Sequence, residues 1–204
     1  MTIYSYKIPR DFGFAPNPFY SVCTLATCKP GIRQKAVIGD WILGFGSSAC
    51  GSKLSGKIIY AMKVEKKITF DEYWQDTEYQ VKKPVMNGSL KQNYGDNIYH
   101  TQNGEWLQDD SHHSLSDGSV NKYNLEKDTS SNNVLISRTY WYFGKKARAI
   151  PVKLKILKPK CRNYCKNDTL DTELEQWLKS LPEKGFIGEP AKFSEEFKRY
   201  DGKS

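Results

Sequence analysis

The chain has 204 residues and a formal net charge of +8, and its 38% hydrophobic and 13% aromatic residues can build one well-packed domain. No segment reaches the roughly 18 consecutive apolar residues of a membrane span, and the N-terminal residues lack the apolar region of a signal peptide. These features argue against a membrane or secreted protein and predict a cytoplasmic one.

The first third of the chain predicts strands separated by stiff turns. Residues 3–8 alternate apolar with polar side chains and are rich in aromatic and β-branched types, which indicates a strand. Residues 11–20 are dense in Phe, Pro and Gly and predict a stiff, irregular loop. A Gly-Asp turn opens a strand within residues 38–47, and residues 57–65 return as its partner after a glycine-bounded hairpin tip.

The middle of the chain begins with a helix and continues as a polar segment. Thr69 and Glu72 have the spacing of a capping box, which predicts a short helix over residues 69–76. Residues 79–128 are rich in Asn, Gly, Asp and Ser, with few apolar residues in register. Because long loops in compact domains tend to carry function, we expect this segment to be functional.

The last third predicts further strands and one helix. Strands are expected at residues 133–137, 139–144 and 150–157. An amphipathic helix is expected at residues 170–181, capped by Asp168 or Thr169. Short strands joined by turns favour an α+β fold built on a small, mostly antiparallel barrel or curled sheet with peripheral helices. Neither a dinucleotide-binding glycine motif nor a P-loop is present, which argues against those folds.

A block of positive charge follows residue 144. Between residues 144 and 167 lie nine basic residues and no acidic one, namely Lys145, Lys146, Arg148, Lys153, Lys155, Lys158, Lys160, Arg162 and Lys166. Such a block favours the binding of polyanions, in which lysines would contact phosphates as point charges. A lysine-rich face that is simply solvated would have the same sequence pattern. We expect phosphate contacts from the first three, Lys145, Lys146 and Arg148.

Five cysteines are scattered along the chain, which is not the pattern of a disulfide framework. The pairs Cys23 and Cys28, and Cys161 and Cys165, are spaced more loosely than the usual zinc-binding pairs. We therefore expect free thiols in a reducing compartment, and no bound metal or cofactor. A nucleophilic thiolate at Cys23 or Cys28 would need a base brought to it by the fold, because no histidine is near in sequence.

All three histidines, His100, His112 and His113, lie in the polar middle segment, among the carboxylates of Asp96, Asp109, Asp110 and Asp117. An imidazole beside a carboxylate suits general acid–base catalysis, and the same cluster could hold a divalent metal or simply form hydrogen bonds within a long loop. On an extended strand, at most one of two adjacent histidines would face a given site.

Several motifs resemble known families. Residues 38–47, 56–64 and 70–76 are similar to the PUA-like superfold, in its EVE and ASCH branches, where a Gly-Asp turn starts a strand and a hairpin and short helix follow. A wider set of motifs looks like the second type of nucleotide modification associated domain, at residues 10–20, 23–30, 83–89, 94–100 and 110–115. This family is associated by genomic context with DNA base modification and with phage or mobile-element conflict.

The resemblance implies a domain organisation and a pocket. Residues 1–144 would form a PUA-like barrel, and residues 145–204 would add a basic strand, a helix and a polar tail that pack on the same domain. The pocket would accept a base, near Asp40, Trp41, Tyr73 and Trp74.

Aromatic side chains are abundant enough to line such a pocket as well as a core. Stacking a base on an aromatic ring contributes roughly 1–3 kcal/mol, and Trp41 and Trp74 are the candidates because they lie in the PUA-like motif. Most of the other aromatic residues would simply fill the core. Further candidate ligand contacts, chosen as edge readers or ring partners, are Phe14, Asn17, Asn87, Ser89, Asn97 and His100.

Two functions of different classes follow. In the first, the chain binds a modified base or nucleotide, with DNA favoured over RNA and no membrane partner. In the second, it is an enzyme of base or nucleotide modification that uses His112 or His113 with Asp109 or Asp110 as acid and base. A third function, an interaction protein of a phage-defence assembly, would leave the pocket vestigial.

Overall fold

The computed structural model describes residues 1–161, 163–193 and 196–202. The strands are β1 (Ile3–Ile8), β2 (Cys23–Leu25), β3 (Trp41–Gly46), β4 (Ile58–Lys63), β5 (Lys66–Ile68), β6 (Tyr99–Gln102), β7 (Glu105–Gln108), β8 (Val134–Ser137), β9 (Tyr140–Tyr142), β10 (Cys165–Asn167) and β11 (Gly185–Phe186). The helices are α1 (Pro30–Lys35), α2 (Phe70–Gln75), α3 (Leu90–Asn93), α4 (Lys122–Thr129) and α5 (Asp171–Lys179). Short 3₁₀ turns occupy Ser48–Cys50, Ser52–Leu54, Thr77–Lys82, Gly144–Lys146 and Val152–Leu157.

The strands form three sheets. The largest has six strands in the order β10-β1-β3-β4-β9-β11, in which β1 and β3 run parallel and β3, β4 and β9 are antiparallel neighbours. A three-stranded antiparallel sheet has the order β2-β8-β5, and β6 and β7 form a hairpin. The predicted α+β class is confirmed. The described residues show no closed barrel, since the large sheet ends in the short strands β10 and β11, which pair only on their inner sides.

Both faces of the large sheet are buried. Because side chains alternate along a strand, Tyr4, Tyr6 and Ile8 of β1 pack on one face, together with Leu25 and Leu135 of the smaller sheet. The opposite face carries Ile3, Trp41, Leu43 and Phe45 and packs against Leu174 and Leu178 of α5. A third apolar cluster joins the loop after β1 to α2 and β6 and includes Phe12, Phe14, Phe70, Tyr94 and Tyr99.

Two local predictions are confirmed in detail. The hydroxyl of Thr69 accepts a hydrogen bond from the Glu72 amide at 3.2 Å, and the Glu72 carboxylate accepts one from the Thr69 amide at 2.7 Å, so the capping box begins α2. At the Gly-Asp turn, Gly39 has a φ of 97°, which glycine adopts readily. The carboxylate of Asp40 then accepts hydrogen bonds from the amides of Thr2 and Val37, which fixes the start of β3 beside β1.

The strand predicted at residues 150–157 is wrong. This segment forms a 3₁₀ turn after Pro151, and its buried side chains are Leu154 and Leu157, three residues apart. On a strand, Val152 and Ile156 would share a face with Leu154, yet both are exposed. A spacing of three suits a helical turn with one buried face, so the alternation in the sequence does not correspond to two faces of a strand.

The cysteines and the polar middle segment also differ from expectation. Cys161 and Cys165 are joined by a disulfide, whereas Cys23, Cys28 and Cys50 are free. Residues 79–128 are not an open loop, because they contain α3, β6, β7 and most of α4. Over the described residues, every helix is too short or too polar to cross a membrane.

Candidate functional site

A cavity of about 450 Å³ opens where the end of β1 meets the start of α1 and the turn that carries the two adjacent histidines. Its volume lies in the range of sites for small molecules. Lys7 and Ile8 line it from β1, and Gly31 and Ile32 line it from α1. Tyr200, from the C-terminal segment, lies against the same opening.

The wall of this cavity combines aromatic rings with positive charge. Five aromatic side chains line it, namely Tyr6, Phe12, Phe14, Tyr164 and Tyr200. Four lysine and arginine side chains line it as well, namely Lys7, Arg10, Lys29 and Lys127. Among the residues that the structure describes, no Asp or Glu faces the cavity. Such a wall suits a ligand that is planar and negatively charged.

Cys28 presents its thiol to the cavity from an unusual backbone position. Cys28 and Lys29 have φ values of 58° and 43°, in the left-handed region that side chains with a Cβ rarely adopt. Two hydrogen bonds hold this turn: the Cys28 amide donates to Oδ1 of Asp128 at 2.8 Å, and Nε of Arg33 donates to the Cys28 carbonyl at 2.8 Å. The thiol is therefore fixed at the point where α1 begins.

Cys28, His113 and Asp128 form a chain of contacts. The sulfur of Cys28 lies 3.7 Å from Nε2 of His113, and Nδ1 of the same ring lies 2.9 Å from Oδ2 of Asp128. The hydroxyl of Tyr99 donates to the same carboxylate oxygen at 3.0 Å. The imidazole thus lies between a thiol on one ring nitrogen and a carboxylate on the other, which fixes its orientation.

The pKa values of this group reflect burial and mutual attraction together. Burial alone would lower the pKa of His113, but Cys28 and Asp128 outweigh burial and raise it to about 10. Burial would raise the pKa of Asp128, but His113 and Arg33 outweigh burial and hold that pKa below its usual value. At neutral pH His113 is therefore an imidazolium that can donate from both nitrogens.

His112 has the opposite electrostatics although it is the next residue. Its ring packs against Phe12 and Phe14, at 5.1 Å and 4.9 Å between ring centroids, and Nδ1 contacts the carbonyl oxygen of Lys198. Burial and the positive charge of His113 lower the pKa of His112 to about 3. Because a carbonyl only accepts, the neutral ring carries its proton on Nδ1, which leaves Nε2 as an acceptor.

Arg33 connects the segments that build the site. Its buried guanidinium donates to the carbonyls of Asp128, Ser131 and Asn133, in addition to that of Cys28. These carbonyls come from the turn before α1 and from the end of α4, so one side chain holds the cysteine beside the helix that carries Asp128. No local pattern in the sequence indicates this role, because three of the four carbonyls lie about a hundred residues from Arg33 in the chain.

Of the predicted site residues, Phe14, His112 and His113 line the cavity. The two histidines are on a turn, not a strand, and both face the cavity, with ring centroids 5.7 Å apart. The carboxylate beside His113 is Asp128, not Asp109 or Asp110. Asp110 instead accepts three hydrogen bonds from the Arg199 guanidinium, which holds it at the surface.

Five predicted ligand contacts lie in the interior, away from the cavity, where Trp41 packs in an apolar cluster and the other four form hydrogen bonds within the fold. Trp41 is fully buried and packs against Trp141, at 6.2 Å between ring centroids. Asp40 holds the Gly-Asp turn, as described above, and the Tyr73 hydroxyl donates to Asp96. The side chain of Asn17 donates to the carbonyl of Tyr94, just after α3, and that of Asn97 donates to the carbonyls of Tyr73 in α2 and Tyr79 in the following 3₁₀ turn.

The remaining predicted contacts lie on the surface elsewhere. Trp74 and His100 stack on each other at 3.8 Å between ring centroids, and Nζ of Lys83 lies 3.4 Å from the centre of the Trp74 ring. Asn87 and Ser89 are exposed at the start of α3. None of these four predicted residues is part of the cavity wall in the described chain.

The predicted phosphate contacts also lie away from the cavity. Lys145 pairs with Glu189 at 3.1 Å and Arg148 pairs with Glu183 at 3.2 Å, so acidic residues of the C-terminal segment offset this part of the basic block. Lys146 is exposed. Arg162, which the basic block also contains, lies outside the described residues.

Comparison with known proteins identifies the family. No curated protein and no solved structure is similar enough to this chain to be matched with it. The model of one family, described as nucleotide modification associated domain 2, matches residues 1–197. The match covers the basic block after residue 144, and it includes Cys28, His113, Asp128 and every residue of the cavity wall except Tyr200. The chain therefore belongs to the family of nucleotide modification associated domain 2.

Proposed function

We propose that this protein binds a modified nucleotide, free or within DNA, in the cavity between β1, α1 and the histidine turn. The observation that carries the proposal is the composition of the wall, which has five aromatic side chains, four lysine or arginine side chains and no carboxylate among the described residues. The family description, which concerns nucleotide modification, supports the same ligand class.

The arrangement of the wall suits both halves of a nucleotide. Lys29 Nζ lies 4.7 Å from the centre of the Tyr6 ring, and the Arg10 guanidinium lies 4.4 Å from the centre of the Tyr200 ring. Positive charge therefore lies next to aromatic surface, as a phosphate joined to a base requires. Base stacking contributes roughly 1–3 kcal/mol per base, and the phosphate contacts add a salt-dependent part.

Two side chains can read the edge of a base in this cavity. His112 offers Nε2 as a hydrogen-bond acceptor, and Asn163 offers an amide that both donates and accepts. A cavity of about 450 Å³ leaves room beside the base for a substituent, which is why the proposal names a modified nucleotide.

Titration calorimetry with nucleoside monophosphates and the matching nucleosides, bearing plain and substituted bases, tests the proposal. We expect monophosphates to bind more tightly than nucleosides, and their affinity to fall as salt rises. Lys29→Ala should lower the affinity for monophosphates by about tenfold and change the affinity for nucleosides little. Tyr164→Ala should weaken both, because both lose the ring contact.

Lys91→Ala is the matched control for Lys29→Ala. Nζ of Lys91 lies 3.9 Å from the centre of the Tyr20 ring, so it repeats the pairing of an ammonium with an aromatic ring outside the cavity. We expect this variant to bind as the wild type does. The proposal fails if no nucleotide binds, or if Lys91→Ala and Lys29→Ala weaken binding equally.

A further inference from the structure

We propose that Cys28 is the catalytic nucleophile of an acyl-transfer reaction in this cavity, with His113 carrying the proton and Asp128 positioning His113. The substrate class is a nucleotide that bears an acyl group through an amide or ester bond, and water is the second substrate. That the substrate is a nucleotide rests on the proposed function, whereas the thiol chemistry rests on the geometry of the three side chains.

The solvent exposure of the three side chains decreases from the proposed nucleophile to the base and then to the orienting carboxylate. Cys28 is partly exposed and lines the cavity, where a ligand can reach it. Behind it, the side chain of His113 is 3% exposed and that of Asp128 is 1% exposed. A nucleophile at the wall, a base behind it and an orienting carboxylate behind the base is the arrangement that activates a thiol or hydroxyl.

The other cysteines lack these features. Cys23 is completely buried, and burial raises the pKa of its thiol well above the usual range. Burial raises the pKa of the Cys50 thiol to about 11. Cys161 and Cys165 are bonded to each other. In the part of the chain that the structure describes, Cys28 is the free thiol that contacts a histidine and faces the cavity.

The backbone at Cys28 points to the same role. Two successive residues with side chains hold left-handed φ values there, a conformation that glycine would adopt at lower cost. The strained turn is maintained by the hydrogen bonds from the Cys28 amide to Asp128 and from Arg33 to the Cys28 carbonyl. The same Asp128 therefore fixes both the cysteine backbone and the histidine ring, which places sulfur and Nε2 in contact.

A metal site made of the same three residues fits the geometry less well. Their ligand atoms lie within 4.8 Å of one another, as a metal cluster would require. However, Nδ1 of His113 is already bonded to Asp128, so an ion between the sulfur and Nε2 would lie on the opposite edge of the ring from that carboxylate. Such an ion would have two protein ligands, fewer than zinc sites use.

The reaction balances without a further co-reactant. The Cys28 sulfur attacks the acyl carbon, a C–S bond forms, and the π electrons of the carbonyl move to its oxygen while the thiol proton resides on Nε2 of His113. When the carbonyl re-forms, the bond to the amide nitrogen or ester oxygen breaks, and that leaving atom takes the proton from Nε2. Water then attacks the thioester and gives its proton to Nε2. The C–S bond breaks, a carboxylic acid leaves, and the proton stays on Nε2 of His113 beside the released sulfur, as at the start of the cycle.

Acylation with p-nitrophenyl acetate, followed by mass spectrometry of the intact protein and its peptides, tests the proposal. We expect a burst of p-nitrophenolate of one equivalent or less and a transient acetyl group on Cys28. Cys28→Ala should lower the burst rate by at least about a hundredfold. Cys50→Ala, the matched control in a free cysteine away from His113, should react as the wild type does.

Variants of the supporting residues add readouts that a purely structural role would not change. His113→Gln should lower the acylation rate by at least about tenfold, and Asp128→Asn should both slow acylation and shift its pH profile. Circular dichroism reports whether each variant is folded. Because the wild type and Cys28→Ala decide the matter by themselves, the proposal stays testable even if a buried variant does not fold.

Three results would overturn the inference. The first is acetylation of Cys28 no faster than that of free cysteine at the same pH. The second is a p-nitrophenolate burst from Cys28→Ala that equals that of the wild type. The third is one equivalent of zinc in the purified protein, if removing that zinc does not make Cys28 more reactive. Nucleotide titration of Cys28→Ala separates the two proposals: binding without acylation in the wild type contradicts only the inference, and acylation without nucleotide binding contradicts only the proposed function.

Discussion

The sulfur of Cys28 lies 3.7 Å from Nε2 of His113, although 85 residues separate them in the chain. The contact joins the turn before α1 to the turn before α4, and both face the same cavity. Asp128, at the end of α4, completes the group. Its Oδ1 accepts a hydrogen bond from the Cys28 amide, and its Oδ2 accepts one from Nδ1 of His113. The candidate chemistry therefore depends on the packing of α4 against the start of α1.

The two adjacent histidines should titrate far apart. By NMR of the ring protons, we expect His113 to lose its proton near pH 10, because Cys28 and Asp128 outweigh burial, and His112 to remain neutral down to about pH 3. Asp128→Asn should lower the pKa of His113, because a neutral amide no longer attracts the imidazolium.

Asp110→Asn is the control for this titration, since Asp110 pairs with Arg199 and does not contact His113. Its spectrum should show the wild-type pKa of His113. Titration of both rings near 6.5 in the wild type would contradict the electrostatic description of the site.

Acid should destabilise the protein in part through His112. In the folded protein the pKa of His112 is about 3, whereas its ordinary value is 6.5. The pKa is lowered because burial and the charge of His113 disfavour protonation. Between these pH values the unfolded chain binds more protons, so stability rises with pH and is lost as pH falls below 6.5. From pH 6.5 to pH 5 this one group should remove up to about 2 kcal/mol from the free energy of unfolding.

Urea unfolding at both pH values, in the wild type and in His112→Asn, measures this contribution. The variant has no imidazole at this position, so its free energy of unfolding should fall less between the two pH values. An equal acid dependence in both proteins would show that His112 is not held neutral in the folded state.

Arg33 should be essential for stability. Arg33→Met keeps the length of the side chain but leaves four backbone carbonyls without their donor, so we expect the free energy of unfolding to fall by about 3 kcal/mol or more. Arg138→Met is the control, because Arg138 is exposed and pairs with Glu78 at the surface, where a pair contributes about 1 kcal/mol or less. Urea unfolding compares the two, and equal losses would contradict this role for Arg33.

The two tryptophans of the Gly-Asp strand and α2 should behave differently from each other. Trp41→Ala removes a fully buried ring and should lower the free energy of unfolding by about 3–5 kcal/mol. Trp74→Ala removes a ring that stacks on His100 outside the cavity, so nucleotide affinity should stay within about twofold of wild type. A loss of nucleotide affinity comparable to that of Tyr164→Ala would show that the ligand site includes Trp74.

Much of the fold followed from local patterns in the sequence. Alternation predicted β1, the Gly-Asp turn and the glycine-bounded hairpin tip predicted β3 and β4, and the spacing of Thr69 and Glu72 predicted the start of α2, because these features involve residues that are neighbours along the chain. The motifs of the first two thirds indicated the family, and the model of that family extends the match to residue 197. Local pattern failed at residues 150–157, where apolar residues alternate in the sequence but the buried leucines of the 3₁₀ turn, Leu154 and Leu157, are three residues apart.

Only the tertiary structure decided which polar residues meet. The sequence indicated His112 and His113 as candidates and placed the nearest carboxylates at Asp109 and Asp110, yet the fold directs those elsewhere and brings Asp128 to His113. It likewise buries Trp41 and pairs Lys145 with Glu189, while Lys29 and Lys127 reach the cavity. Composition and spacing indicate which secondary structure each segment favours, but contacts between distant segments depend on how the apolar faces of those segments pack. The same packing, by removing water from His113 and Asp128, sets the charges that these two side chains can hold.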